Sequence, residues 1–156
     1  MSDRSTDPDC QFLRPIGFVE DEPVLAVLDY RGLHLGNRHA ADPGCHDRRF
    51  DAVVSVSADA FPLTTHHHPL TDGEGNDWAA FAAAVDAVRR LSRTADVLVN
   101  CKAGVSRSTA VLATAVAAER GGSFRDGLRT VEAARPEAVP HPALVELGAV
   151  YLAARG

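Results

Sequence analysis

The sequence predicts an α/β domain on a central, mainly parallel sheet of four or five strands flanked by helices, and three observations carry that expectation. Short apolar, β-branched runs are interleaved with segments of helical period, the order expected of strand–helix–strand units. Those runs are apolar on consecutive residues rather than alternately, as strands buried on both faces must be. Beyond residue 108 only helical patterns follow.

Taken in order, Met1 to Arg14 is polar without a period and reads as a disordered tail, leaving 15–156 as one domain. Pro15 to Glu22 carries no decisive pattern. Val24–Tyr30 and Leu33–Leu35, separated by Arg31-Gly32, read as a hairpin. Gly36 to Ala41 is a turn leading into a short helical or irregular segment. Phe50–Val56 is a buried strand, and Leu63 to Leu70 a weaker one. Thr71 to Asn76, with two glycines among polar residues, is a loop. From Asp77, apolar Trp78, Phe81, Val85, Val88 and Leu91 recur at three and four and define one helix face.

Asp96–Val99 is the next strand, and Thr109 to Arg120 the helix after it. Gly121-Gly122 stops that helix, and Ser123 with Asp126 opens another through Leu128, Val131 and Ala134. Arg135-Pro136 ends it, and His141-Pro142 opens a last helix with Leu144, Leu147, Val150 and Tyr151. No internal repeat is present.

Composition excludes several classes. A 156-residue chain with 46 % hydrophobic and 24 % charged residues is an ordinary globular domain, and its net charge of −5 argues against nucleic-acid or anionic-membrane partners. No apolar run reaches a membrane span, and the N-terminus lacks the order of a signal peptide, so a cytoplasmic protein without stable membrane association is expected. A monomer is expected. Three cysteines, Cys10, Cys45 and Cys101, show no metal-ligand spacing and fit free thiols. Of sixteen basic residues one is lysine, Lys102.

The strand-to-helix turn Asn100-Cys101-Lys102-Ala103-Gly104-Val105-Ser106-Arg107-Ser108 concentrates the chemistry. Its backbone N–H groups have no strand partner and are not yet helical, so they can curl round an anion at the positive end of the next helix. Gly104 permits a tight curl. A cysteine at the start of such a cradle is favoured as the thiolate, which is the nucleophile. Arg107 supplies a planar fork for two oxygens of the anion, and the Ser108 hydroxyl can bond the sulfur as it leaves. Lys102, Ala103, Gly104, Val105, Ser106 and Arg107 thus form a phosphate-binding set, with Cys101, Arg107 and Ser108 acting on a phosphate monoester.

Cys101-Lys102-Ala103-Gly104-Val105-Ser106-Arg107-Ser108 resembles the Cys-x5-Arg-Ser/Thr signature of cysteine-dependent protein phosphatases, in the Ala-Gly-x-Ser-Arg-Ser form of the dual-specificity branch. Leu35-Gly36-Asn37 and the Arg135-Pro136 segment are similar to further parts of that family. The resemblance implies a protein tyrosine phosphatase-like fold, a phosphocysteine intermediate, no cofactor, and phosphorylated proteins or small phosphate esters as substrates. One position departs: Asn100 stands where the family usually has histidine, and its amide can hydrogen-bond the loop but cannot titrate.

Expelling an alkoxide or phenolate requires a proton donor, which must lie on a loop at the carboxyl ends of the strands. Asp72 qualifies, and twenty-nine positions before Cys101 it stands where the resemblance places the general acid. Asp77 is better explained as the cap of the following helix, and Glu74 as a loop charge or a backup acid. His66-His67-His68 invites a metal reading, but no Cys, Asp or Glu at ligand spacing completes a set, so structural or surface histidines are favoured. Cys45 reads as a loop cysteine in preference to a resolving thiol.

Three rival readings remain. Cys101-Lys102-Ala103-Gly104 also opens the loop of phosphoinositide and other phospholipid phosphatases, although Val105 stands where those carry a further basic residue. An inactive phosphobinding module is opposed by Cys101, Arg107 and Asp72 occurring together. Rhodanese or arsenate-reductase chemistry lacks either the need for Arg-Ser or a placed resolving cysteine.

Overall fold

Residues 20–156 are described by the computed structural model; the expected tail over 1–14 and the domain start at residue 15 lie outside them. The chain forms β1 (Leu25–Val27), β2 (Leu33–Gly36), a 3-10 turn (Arg38–Ala41), β3 (Ala52–Ser55) and β4 (His66–His67). It continues as α1 (Trp78–Ser92), β5 (Val97–Asn100), α2 (Arg107–Arg120), α3 (Phe124–Ala134) and α4 (Pro142–Arg155). The strands form one sheet in the order β1-β2-β5-β3-β4, in which β1 runs antiparallel to β2 and every other pair is parallel.

Register decides where chemistry can occur. Asn100, the last residue of β5, pairs with Gly36 of β2 on one side and Ser55 of β3 on the other. The carboxyl ends of the three central strands are therefore level, and the loops leaving them open on one sheet edge.

The two faces of the sheet are covered differently. Val97 and Val99 point into a core built with Phe81, Val85 and Val88 of α1, Leu112 of α2, Val131 of α3, and Leu144 and Tyr151 of α4. Leu98 and Val53 point the other way, under Ala40 and Ala41 of the 3-10 turn and the partly buried Phe61 and Leu63. All four helices thus contribute to one face, and the other is closed by a turn and a loop.

Helix α2 runs through the middle of the helical layer, and every residue from Ser108 to Ala118 is buried. A helix buried all round needs small side chains where neighbours approach. Its five alanines between residues 110 and 118 meet that need, and α3 contributes a glycine. A methyl group added at Gly127 would lie 1.9 Å from the Ala113 carbonyl oxygen, so the α2–α3 spacing depends on its absence.

Two elements differ from expectation. The weak strand expected over residues 63–70 is reduced to His66–His67, because Thr64 and Thr65 spend their hydroxyls on backbone N–H groups of Phe61 and Val53. The segment still follows β3, through His68 N–H to Ser55 O at 2.9 Å and Leu70 N–H to Val56 O at 3.0 Å. Pro69 between them has no N–H to give. Helix α2 begins at Arg107 rather than at Thr109, so the arginine and serine of the motif belong to its first turn. Among the described residues no helix is long and apolar enough to cross a membrane.

Candidate active site

The loop between β5 and α2 is shaped by what holds its carbonyl groups. Arg38 N–H donates to Lys102 O at 3.0 Å, and Val139 N–H to Val105 O at 2.9 Å. The Arg135 guanidinium donates to Ala103 O at 3.3 Å and Gly104 O at 3.1 Å. A planar trans peptide directs its C=O and the next N–H to opposite sides. Four outward carbonyls therefore turn the N–H groups of residues 103–106 inward, where none bonds to another described residue. Gly104 adopts φ +67°, and a Cβ there would sit 2.9 Å from Gly36 O. Both the conformation and the close approach call for glycine.

Cys101 opens this loop directly after β5. It is 2 % exposed, and its Sγ is 3.1 Å from the Ser108 Oγ. Its N–H is tied to Gly36 O at 3.3 Å. The first turn of α2 brings the Ser108 hydroxyl back over the sulfur, as a side chain directed toward the helix N-terminus does. Arg107 is half-buried and donates from Nη1 to Leu70 O at 3.3 Å, which joins the cradle to the chain leading into residue 72.

Asp72 reaches the same place through a serine. Ser106 Oγ donates to Asp72 Oδ1 at 2.5 Å and accepts from His141 N–H at 2.8 Å. Using its hydroxyl in this way, Ser106 makes no side-chain cap bond to α2. The loop bearing Asp72 is closed by Asn76, whose side chain accepts from Thr71 N–H at 2.8 Å and donates to Thr71 O and Gly73 O at 2.9 and 3.1 Å.

Asn100 occupies the position that the family resemblance assigns to histidine. It is fully buried, donating to Asn37 O at 3.2 Å and accepting from Ser55 Oγ at 2.6 Å. Asn37, also fully buried, accepts from Val24 N–H and Ala40 N–H and donates to Glu22 O. A neutral amide chain thus fixes the Gly36-Asn37 corner on which Gly104 rests.

The remaining candidates lie elsewhere. Asp77 caps α1 by accepting from Ala79 N–H at 3.2 Å. Glu74 is exposed beside a separate cavity of about 360 Å3 shared with His141 and Glu146. His67 bonds Ser57 O and His66 bonds Thr65 Oγ1. Burial, and after it the neighbouring histidines and Arg90, hold His68 below its usual value. Among the described residues no three His, Cys, Asp or Glu side chains converge as a metal site would require. Cys45 and Cys101 are free thiols; Cys45 is exposed, and desolvation followed by the Asp42 carboxylate pushes its thiol up.

Sequence reasoning missed two supports of the site. One is the 6 % exposed Arg135, which holds two cradle carbonyls and pairs with Glu20 at 2.7 Å and Glu137 at 3.3 Å. Its signal was available in Arg135-Pro136, read there mainly as a helix stop. The other is the Ser106 hydroxyl, for which no local pattern exists because both its partners are remote in the chain.

No protein-family model matches the chain, and no curated protein matches it. Solved structures do. Human DUSP28 is 27 % identical, with a TM-score of 0.73 over 85 % of this chain and 97 % of its own. DUSP15 is 25 % identical with a TM-score of 0.66, covering 82 % of this chain and 86 % of its own. The Yvh1 phosphatase domain of Chaetomium thermophilum, at 18 % identity, shares the fold with a TM-score of 0.68 over 84 % of this chain and 96 % of its own. Such neighbours support a phosphatase activity in the broad sense. With five strands and four helices among the described residues and a cysteine loop at the sheet edge, the chain has a dual-specificity-phosphatase-like cysteine phosphatase fold.

Proposed function

We propose that the protein hydrolyses phosphate monoesters, phosphotyrosine and phosphoserine or phosphothreonine of proteins among them, through a phosphocysteine intermediate. The supporting observation is the convergence on one concavity of the Cys101 sulfur, the Ser108 hydroxyl 3.1 Å from it, the inward amides, and Asp72 held by Ser106.

The chemistry follows from those positions. The Cys101 thiolate attacks phosphorus in line with the leaving oxygen, while Arg107 and the amides of residues 103–106 take the charge of the equatorial oxygens. As the S–P bond forms and the P–O bond breaks, Asp72 gives its proton to the departing oxygen. In the second step water attacks phosphorus, its proton passes to Asp72, and the S–P bond breaks. Ser108 hydrogen-bonds the departing thiolate, and inorganic phosphate leaves.

Hydrolysis of p-nitrophenyl phosphate tests this directly. Wild type should turn over, and Cys101→Ser should lose at least about 10^4-fold in kcat, as removal of a nucleophile does. Activity that survives the substitution sinks the mechanism. A phospholipid substrate is the second reading, favoured by the exposed Lys102 following the nucleophile. Comparing kcat/KM for a phosphotyrosine peptide and a phosphoinositide separates the two.

A further inference from the structure

Helix α4 is capped by a residue that can change its charge. His141 stands between Pro140 and Pro142 at the N-cap, and its ring Nδ1 accepts from Ala143 N–H at 3.0 Å. Pro142 has no N–H, so the Ala143 amide is the first donor of the helix, and the imidazole is its partner. Ser, Thr and Asn, the usual neutral caps, accept such a bond at any physiological pH. A histidine accepts it only while Nδ1 keeps its lone pair, which requires the neutral ring with its proton on Nε2.

The same residue is tied to the acid loop. His141 N–H donates to Ser106 Oγ at 2.8 Å, and Ser106 Oγ donates to Asp72 Oδ1 at 2.5 Å. Two residues earlier Val139 N–H bonds Val105 O at 2.9 Å, so the segment before α4 is stapled to the cradle twice. On its other side the His141 carbonyl accepts from Leu144 N–H and Val145 N–H at 2.9 and 3.1 Å. The direction of the His141 N–H thus follows from how the first turn of α4 is closed, and the ring closes it. A Cβ added at Gly73 would lie 3.9 Å from His141 Nε2, so the ring stands directly beside the loop that carries Asp72. His141 also lines the cavity of about 360 Å3, which gives the half-buried ring access to protons from water. Few charges surround it. The acid loop brings Glu74 and, behind Ser106, Asp72; α4 brings Glu146; the cradle brings Ser106, with Arg107 turned to Leu70 O. Glu74 and Glu146 are exposed and attract an imidazolium, while the positive end of α4 repels it.

We propose that His141 is a positioning residue for Asp72 that acts only with a neutral ring. On protonation Nδ1–H meets Ala143 N–H, donor against donor, so the cap opens and the Ser106–Asp72 contact loses the N–H that orients it. One proton is taken up and no covalent bond changes. The acid loop is thereby made pH-sensitive through a residue that acts by way of Ser106. The proposal rests on the phosphatase reading above, with Asp72 as its acid, and adds a control on where that acid is held.

The experiment compares kcat of wild type, His141→Asn and His141→Ala from about pH 8 to pH 5, the span in which histidine ordinarily changes charge, on a phosphoserine peptide and on p-nitrophenyl phosphate. His141→Asn keeps a cap and cannot titrate. Its kcat on the peptide should lie within about twofold of wild type at about pH 8 and exceed it by about fivefold at about pH 5. Titrations of nucleophile and substrate are common to both proteins and cancel in that ratio. On p-nitrophenyl phosphate, whose leaving group needs little proton assistance, the ratio should change by less than about twofold. His141→Ala has no cap at any pH, and on the peptide it should fall about fivefold below wild type at about pH 8 and match it at about pH 5. A ratio of His141→Asn to wild type that is flat with pH, or His141→Ala equal to wild type at the alkaline end, overturns the proposal. NMR on wild type needs neither variant nor turnover: the His141 ring shifts and the Ala143 amide shift should titrate together with one midpoint. An Ala143 amide that ignores the ring's titration, or a ring that does not titrate in this span, overturns the switch. If wild type hydrolyses neither ester, the phosphatase reading fails by itself, and the NMR titration still decides the cap.

Discussion

The two ends of helix α2 do opposite things with their polar groups. At the C-terminal end, Glu119 receives Arg31, Arg89 and Arg93 at 2.8, 2.7 and 3.0 Å, and the Gly121 N–H closes the helix on Ala117 O. A carboxylate there opposes the helix dipole, and three guanidinium groups offset the conflict. At the N-terminal end, Ser106 leaves the helix without a side-chain cap bond, and the amides before it face a concavity with no partner among the described residues. One end has its carboxylate answered by three guanidinium groups and holds α1, α2 and the β1–β2 turn together. The other keeps donors in reserve, where an anion fits.

That contrast can be broken by substitution, and the largest effect belongs to the N-terminal end. Arg107→Lys replaces a planar fork by a point charge, and kcat for p-nitrophenyl phosphate should fall by about 10^2-fold or more. A loss confined to KM would show that Arg107 holds the ground state alone. For Asp72→Asn, kcat on a phosphoserine peptide should drop by about 10^2-fold, with a much smaller loss on p-nitrophenyl phosphate, whose leaving group needs little proton assistance. Equal losses on the two substrates would move the acid assignment away from Asp72.

Ser106→Ala tests the link between the acid and the cradle. Its expected cost is about tenfold in kcat on the same peptide, together with about 1 kcal/mol of stability from the lost hydrogen bonds, read by urea unfolding. If activity is unchanged, Asp72 is positioned by other groups.

The C-terminal end should answer in stability and leave chemistry alone. The Arg93 hydrogen bond first, and then those of Arg89 and Arg31, outweigh burial and hold the Glu119 carboxyl at about 2, against an ordinary 4.5. A carboxyl lowered in the folded state contributes fully above pH 4.5, and that contribution disappears as pH falls toward 2. Its size is up to about 3 kcal/mol for this shift. In Glu119→Gln that part of the acid dependence of unfolding should vanish, while kcat/KM stays within about twofold of wild type. A large kcat change in this variant would mean that the two ends of α2 are coupled.

Much of this arrangement was legible in the chain. All five strands overlap the expected runs, β2 and β5 ending one residue later at Gly36 and Asn100, because apolar, β-branched stretches bounded by Gly, Pro and Asp have few alternatives. Asp77, Ser123 and His141 cap their helices as local spacing indicates. The second strand of the β3–β4 pair is shorter than its apolar run, because the competition of Thr64 and Thr65 hydroxyls for backbone donors does not register in hydrophobic period. Helix α2 starts two residues before the apolar pattern does, since Arg107 and Ser108 have no apolar side chain to set a phase.

What the sequence alone determined was the local part of the site: a strand, a glycine able to take φ +67°, and a helix within one continuous stretch. These depend on residues adjacent in the chain, whose preferences act before any long-range contact forms. Tertiary structure decided the rest. Asp72 and Ser106 are 34 positions apart, Arg135 and Ala103 are 32, and Asn37 and Asn100 are 63. The parallel register of β2, β5 and β3 brings Asn37, Asn100 and the start of the cradle to one edge, and the loop bearing Asp72 and the end of α3 bearing Arg135 then close on it. Apart from the Arg135-Pro136 pair, such contacts have no signature in the chain, because a hydrogen bond between remote residues leaves no local pattern at either partner.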